Sequence, residues 1–469
     1  MPPRGTTSGS GLDLLLDSDA LRGRGLEGQL RTAIQTGRLP SGTSLPSTRS
    51  LARDLGVARG TAVDAYEQLV AEGYLESRRG SGTRVAGGPL RNPPAAPVPG
   101  MPAAPRFDLR PGHPDLTSFP RQAWVAALRR SLRDAPPATF AYGDPRGDPG
   151  LRATLAGYLG RARGVSADPG RILVVNGFNQ GLSFWARALH RRGHRHLAVE
   201  DPTQPLLRQV IEHAGFTLHA VPVDEDGLVV DALEETPATA VVVGPAHQFP
   251  TGSVLHPARR AALMRWAERR DGQIAEDDYD GEFRYDRASV GALQGLYPDR
   301  VAYAGTASKS LAPALRLAWM VAPATLLEDL IEERLFAERQ PPVLDQLALR
   351  ELIDSGAYDR HLRRMRQVYR HRRDRLVELV RERAPEVEVS GIAAGLHAVL
   401  RLPAGVDDGL VVDHLAANSI AVGRAADYQA APVGPPVLVV GYGTPPEHAV
   451  EGALDAFTRE LASALRAQR

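Results

Sequence analysis

The 469-residue chain contains no cysteine, which excludes disulfides, thiolate metal sites and a cysteine nucleophile. No apolar run approaches the ~18 residues of a membrane-spanning helix, and the opening MPPRGTTSGSGLDLLLD lacks the apolar stretch of a secretory leader. A cytoplasmic location with no membrane partner is therefore the expectation. Net charge is nearly absent too: 56 basic side chains against 55 acidic ones leave +1. Such a chain cannot hold nucleic acid through bulk charge, so any DNA contact must come from a local patch. The scarcest side chain of all is lysine. Of the 56 basic residues, only Lys309 is not an arginine. Arginine serves wherever a positive charge suffices, but its guanidinium stays protonated and cannot attack a carbonyl. A chain that keeps one amine among so many guanidines points to covalent chemistry at that amine. The alternative is a solvated lysine kept by chance.

What is present is an ordinary globular composition, 43% hydrophobic and 24% charged, long enough for two or three domains. Residues 12–86 read as a small α+β domain. Leu26, Leu30, Ala33 and Ile34 form a helical stripe that Gly37 stops. Pro46 and Ser47 open a second helix with Leu51, Ala52 and Leu55 inward, and Gly56 ends it. A third runs from Arg59 to Glu72 with Ala62, Tyr66, Leu69 and Val70 inward. Two short helices about a tight glycine turn form a helix-turn-helix, and GYLESRRGSGTRVA adds two strand-like pieces, a wing. Residues 87–105, GGPLRNPPAAPVPGMPAAP, form a proline-rich linker. At ~3.1 Å per residue it could reach roughly 60 Å, far enough for the small domain to rest on a second copy. In residues 106–469 the apolar runs RILVVNG, HLAVEDP, TAVVVGP, GQIAEDD, RVAYAG and RLAWMVAP alternate with helical stretches. That alternation predicts an α/β domain with a mostly parallel sheet, followed from about 380 by an α+β subdomain.

Functional groups of such sheets gather at strand ends. Thr306, Ser308 and Lys309 follow the strand RVAYAG, with Arg316 seven residues on. Hydroxyls, backbone N–H groups and an arginine suit a phosphate dianion, and an amine beside them could hold an aldehyde as a Schiff base. Another strand ends in Asp277, Asp278 and Tyr279. A buried carboxylate would keep a pyridine nitrogen protonated, and a phenol could bond a ring hydroxyl. Together these groups describe a pyridoxal 5'-phosphate site. The His190, His194 and His196 cluster offers a metal reading, but arginines surround it and no carboxylate completes a set; a helix end is the expectation, and no metal site.

Residues 106–469 resemble the fold-type I aminotransferases through YGDPRGDPGLRATLAGYL, HQFPTG, EDDYDGEFRY and GTASKSLAPALRLAWMVAP. Residues 26–86 resemble the winged helix-turn-helix of GntR-type repressors through LPSTRSLARDLGVARGTAVDAYEQLVAEGYLESRRGSGTRV. In this order the chain resembles the MocR/GabR-type transcriptional regulators. The resemblance implies that Lys309 holds the cofactor as a Schiff base. Asp277, with Asp278 as the alternative, would face the pyridine nitrogen, and Tyr279 the ring hydroxyl. Phe178 and Asn179 N–H groups with Thr306, Ser308 and Arg316 would hold the phosphate. It also implies DNA contacts from Arg49, Arg59, Thr61 and the wing residues Arg78, Arg79 and Gly82, and a homodimer, head-to-tail where the linker allows it.

The chain departs from the family at three places. Thr203 and Gln204 stand where a glycine and a ring-stacking aromatic are usual, Ala318 replaces a glycine, and VLVVGYG lacks the arginine that binds a substrate carboxylate. Arg401 and Arg424 are left as candidates to supply that charge. The expectation is a DNA-binding regulator that senses pyridoxal phosphate, with little or no turnover. A working aminotransferase, a sensor of an amino acid such as γ-aminobutyrate, and a cofactor-free dimerisation scaffold are the alternatives.

Overall fold

In the computed structural model, which describes residues 6–7, 13–14, 25–78, 82–87, 104–285, 290–431 and 434–469, the chain divides at 102/103 into two units. The expected linker lies almost wholly outside the described residues, as do most residues before Gly25.

In the smaller unit, α1 (Gly25–Gln35) buries Leu26, Leu30, Ala33 and Ile34, the expected stripe. After β1 (Ser44–Leu45), the Ser47 hydroxyl accepts the Ser50 N–H at 3.1 Å and starts α2 (Thr48–Leu55), which ends at Gly56. The following α3 (Arg59–Ala71) buries Ala62, Ala65, Tyr66 and Leu69. Val70, expected inward, is exposed. It lies 100° past Leu69 around the helix, outside the stripe that the 62, 65/66, 69 spacing defines. The wing is β2 (Leu75–Arg78) against β3 (Gly82–Val85), with β1 completing an antiparallel sheet in the order β1-β3-β2. These elements close on a core of their own, including Leu26, Leu30, Leu51, Tyr66, Leu69 and Val85.

The larger unit opens with β4 (Phe107–Asp108), α4 (Arg121–Asp134) and α5 (Pro149–Arg163). Its main sheet comprises β5 (Ile172–Val175), β6 (His196–Asp201), β7 (Thr217–Asp224), β8 (Gly227–Leu228), β9 (Ala240–Val243), β10 (Gln273–Asp278), β11 (Val301–Thr306) and β12 (Ala318–Val321), in the order β8-β7-β6-β9-β10-β11-β12-β5. The five strands β7-β6-β9-β10-β11 are mutually parallel. By contrast β12 runs antiparallel to both β11 and β5, although RLAWMVAP was one of the runs read toward a mostly parallel sheet. Its connection to β11, residues 307–317, is too short for the helical crossover that a parallel neighbour needs, so the chain turns straight back. Lys309 sits on that connection. Helices α6 (Phe178–Arg191), α7 (Pro205–His213) and α9 (Pro257–Arg269), with the one-turn α8 (Val230–Glu234) between the last two, join the parallel strands. Their apolar faces and the Val- and Ala-rich strands form two buried clusters on opposite faces of the sheet.

Beyond α10 (Leu327–Ala337), α11 (Leu344–Asp354) and the 27-residue α12 (Ala357–Arg383), the chain builds a second sheet. Its strands are β13 (Glu388–Ser390), β14 (His397–Arg401), β16 (Gly423–Arg424) and β17 (Val437–Gly441), in the antiparallel order β13-β14-β17-β16. It carries α13 (Asp408–Ala417) and α14 (Val450–Ala467), while β15 (Ile420–Ala421) pairs with β4. This is the α+β subdomain expected from about residue 380. No described helix is long and apolar enough to cross a membrane.

Candidate functional site

Strand register brings the predicted groups together. Thr306 at the end of β11 lies opposite Ala318 of β12, which lies opposite Val175 at the end of β5. The loops leaving these points carry Ser308 and Lys309, Arg316, and Asn176-Gly177 respectively. Gly177 opens α6 with φ 100°, where side-chained residues rarely go, and a Cβ there would lie 2.5 Å from Arg316 Nη2. Glycine therefore lets the guanidinium reach the positive end of the helix, where it donates to the Asn176 carbonyl at 2.5 Å. The N–H groups of Phe178 and Asn179 have no acceptor among the described residues. Thr306 Oγ1 donates to Ser308 Oγ at 2.9 Å and accepts the Ser308 N–H at 3.1 Å. Free helix-start donors, an adjacent guanidinium and paired hydroxyls make an anion cradle.

Lys309 Nζ donates to the Gly112 carbonyl at 2.6 Å. Burial lowers its pKa from the ordinary lysine value, against the pull of Asp280 and Asp277. That shift favours the neutral amine a carbonyl group requires.

The two adjacent aspartates part ways because neighbouring residues of a strand face opposite sides of the sheet. Asp278 is buried and doubly bonded to Arg163, at 2.6 Å from Nε and 3.0 Å from Nη2, and accepts the Tyr303 hydroxyl at 2.7 Å. Asp277 has no hydrogen-bond partner among the described residues. Burial, then the charges of Asp278 and Asp280, push its carboxyl up to about 8, against the pull of Lys309. An under-partnered carboxyl beside an amine is what a protonated ring nitrogen would complete.

Tyr279 lies beside Asp277 in sequence and its hydroxyl is 3.1 Å from His247 Nδ1, which is itself 2.9 Å from Asp280 Oδ2. Burial and the Asp280 charge push the phenol well above its ordinary value, so it stays protonated. The His397 ring lies tilted beside that of His247, centroids 5.2 Å apart, and burial holds its pKa down to about 4, hence neutral. Sequence reasoning assigned no role to His247, Asp280, His397 or Gly112. The HQFPTG loop was the available signal for His247; the others become neighbours only through the fold. Gln204, at the ring-stacking position of the family, is exposed at the start of α7. Neither alternative arginine joins the cluster: Arg424 pairs with Asp427 at 2.7 Å, and Arg401 lines a separate cleft. His190, His194 and His196 go elsewhere too. The His190 ring meets Phe216, His194 Nδ1 is 2.7 Å from Thr239 Oγ1, and His196 is 3.1 Å from His219.

One pH prediction follows from the acids. Asp277 at about 8, with Glu200, Glu276 and Glu282 each pushed up to about 7 by burial, binds protons in the folded state that the unfolded chain has released. Stability then falls as pH rises from about 4 to 8. The ligand-free protein is expected to melt at a lower temperature at pH 8 than at pH 6. Asp277→Asn should flatten that fall and raise the pH 8 melting temperature; calorimetry across the range checks both.

In the smaller unit, Arg49 on α2, Arg59 at the start of α3 and Arg78 at the end of β2 are exposed, and none makes an ion pair among the described residues. Asp54, on the same helix as Arg49, is 3.7 Å from Arg53. Thr61 is half-buried in the first turn of α3. In the wing, Arg78 lies opposite Gly82, whose φ of 82° suits glycine. Arg79 lies outside the described residues.

A winged helix-turn-helix with exposed, unpaired arginines, ahead of an aminotransferase-like domain, defines a DNA-binding transcriptional regulator. Residues 23–85 match the family model for bacterial regulatory proteins of the gntR family, and residues 108–424 match aminotransferase class I and II. The chain is 34% identical over 431 residues to the HTH-type pyridoxine biosynthesis transcriptional regulator PdxR of Corynebacterium glutamicum, covering 91% of this chain and 93% of that protein. It is also 34% identical to the probable rhizopine catabolism regulatory protein MocR of Rhizobium meliloti, over 84% of each. An archaeal alanine:glyoxylate aminotransferase of known structure shares the fold, with TM-score 0.71 at 23% identity, over 77% of this chain and 91% of that one. The chain belongs to the MocR/GabR-type subfamily of GntR transcriptional regulators.

Proposed function

We propose that this regulator binds pyridoxal 5'-phosphate at Lys309 and that occupancy of that site sets its action at an operator controlling pyridoxine biosynthesis. The observation that carries the reading is the convergence of one depressed amine and one under-partnered carboxyl, Asp277, beside the anion cradle of Thr306, Ser308, Arg316 and the start of α6. When bound, the cofactor supplies an aldehyde for the amine, a ring nitrogen for Asp277 and a phosphate for the cradle. Tyr279, kept protonated, offers its hydroxyl to the ring oxygen, and the His247–Asp280 pair fixes the orientation of that phenol. The name of the C. glutamicum relative supports vitamin B6 supply as the regulated process.

Pyridoxal phosphate itself, rather than an amino acid, is the signal in this reading. Among the described residues, the one arginine of the cluster is Arg316, assigned to the phosphate, which leaves none for a substrate carboxylate, and burying that group unpaired is costly. Operator binding and promoter output measured with pyridoxal phosphate alone, then with an amino-acid panel including γ-aminobutyrate, test it. A response that requires an amino acid overturns it. Steady-state transamination near 1 s⁻¹ would instead make the protein a working aminotransferase.

Two copies are the expected assembly. Phe140, Tyr142 and Phe336 of the larger unit are 55%, 78% and 81% exposed, large apolar side chains that a second copy could cover. Light scattering should report a dimer at micromolar concentration, head-to-tail where the linker spans the copies. At the operator, Arg59 opens the recognition helix beside Thr61, with Arg49 and the wing (Arg78, Arg79, Gly82) on the phosphates. Arg59→Ala should weaken specific binding by about 1–3 kcal/mol while leaving non-specific DNA little affected. An equal loss on every sequence in a salt-controlled titration would reduce Arg59 to a phosphate contact.

A further inference from the structure

Two confluent clefts of about 1060 and 420 Å³, lined by neither Lys309 nor Asp277 nor the cradle residues, run between the edge of the main sheet and the C-terminal sheet. They share Val223, Thr251, Ser390 and Arg401. Cross-strand register explains what they present. Arg401 of β14 lies opposite Glu388 of β13 and Val437 of β17, and one step along, Val399 lies opposite Ser390 and Val439. Residues two apart on paired strands share a face, so the floor is apolar (Val437 and Val399, with Val439 buried beneath them) with a guanidinium at one end and a hydroxyl beside it.

That guanidinium is the anomaly. Arg401 is half-buried, yet among the described residues it makes no hydrogen bond and no ion pair. The other unpaired arginines described are exposed, whereas Arg401 is not, and even its cross-strand neighbour Glu388 leaves it alone. The nearby carboxylates have other work: Asp407 accepts the Gly409 and Leu410 N–H groups at the start of α13, and Asp408 accepts the Val437 N–H. A half-buried cation with open donors, set over an apolar floor in a cleft of ligand size, has the layout of a small-molecule site. The lining also carries Asp224 (paired with Arg259), Glu225, Asp226 and Glu388 in the first cleft and Asp407 and Asp408 in the second. Their charge disfavours a dianion more than a monoanion, so a single negative group is the one that Arg401 can offset.

We propose that this cleft is a second ligand site, distinct from the cofactor cluster, which takes a small monocarboxylic acid with an apolar body. The carboxylate sits on Arg401 with Ser390 beside it, and the apolar body lies on the valine floor. Nothing in this assignment depends on pyridoxal phosphate binding at Lys309.

The test is calorimetric titration of the full-length protein with phenylacetate, with phenyl phosphate and phenethylamine as comparisons. Saturable phenylacetate binding in the millimolar range is expected, because the probe is a fragment. Arg401→Gln should weaken it about tenfold or more, the scale of a lost charge-assisted hydrogen bond. The melting temperature should be unchanged, since Arg401 has no partner to lose. Lys309→Ala should bind phenylacetate like the parent, which separates this site from the cofactor reading. The proposal is overturned by absence of saturation up to about 20 mM, by Arg401→Gln binding within twofold of the parent, or by loss of binding in Lys309→Ala. Phenyl phosphate or phenethylamine binding more tightly than phenylacetate would likewise refute the monocarboxylate assignment.

Discussion

Lys309→Arg should carry no covalently held pyridoxal phosphate. After incubation with the cofactor and gel filtration, the parent protein retains a visible absorbance band, while the variant is colourless. The charge is conserved in this substitution; what disappears is a nitrogen able to lose its proton and attack the aldehyde. Because Lys309 is the sole lysine, the only other amine is the N-terminus. Borohydride reduction and peptide mapping should therefore find the cofactor at one residue. The loss should not come from misfolding. Lys309 makes one hydrogen bond, to the Gly112 carbonyl, and removing a single donor costs of order 1–3 kcal/mol. A band that survives in Lys309→Arg would move the chemistry to the N-terminus and end the assignment.

Arg163→Met should be the most destabilising single change near the site, by about 3–5 kcal/mol. The Arg163 and Asp278 side chains are 1% and 2% exposed, and Arg163 also donates to the Gly281 carbonyl at 3.0 Å. Removing the guanidinium leaves a carboxylate sealed inside the sheet with only the Tyr303 hydroxyl to satisfy it. Asp278→Leu alone should cost a similar amount, by stranding the cation. The double variant, with neither charge, should recover most of the loss, since an apolar pair of similar volume needs no solvation. Denaturant unfolding of the four proteins closes the cycle; a double variant as unstable as the sum of the singles would mean that the pair contributes packing and little charge.

The site was legible in the sequence to unequal depth. Thr306 at the end of β11 and Ser308, Lys309 and Arg316 on the loop that follows it lie close in sequence, so their neighbourhood could be read along the chain. The helix-turn-helix was legible for the same reason, since its caps, turn glycine and stripe are all local. Asp277 and Asp278 were not separable. Strand parity puts them on opposite faces, but which face holds the site depends on Arg163, 115 residues away on α5. His247, Asp280, His397 and Gly112 come from four separate segments, and no spacing announces their meeting. The direction of β12 was hidden as well, because an apolar run reads alike whichever way it pairs.

The bond from Lys309 to Gly112 places two claims on one nitrogen. Gly112 stands four residues beyond β4, in the stretch of chain that first enters the larger unit after the proline-rich segment. A carbonyl ligand that captures the amine must take it from that backbone oxygen. Ligand and entry strand are thus rivals, and the rivalry is settled within a few residues of the tether to the DNA-binding unit.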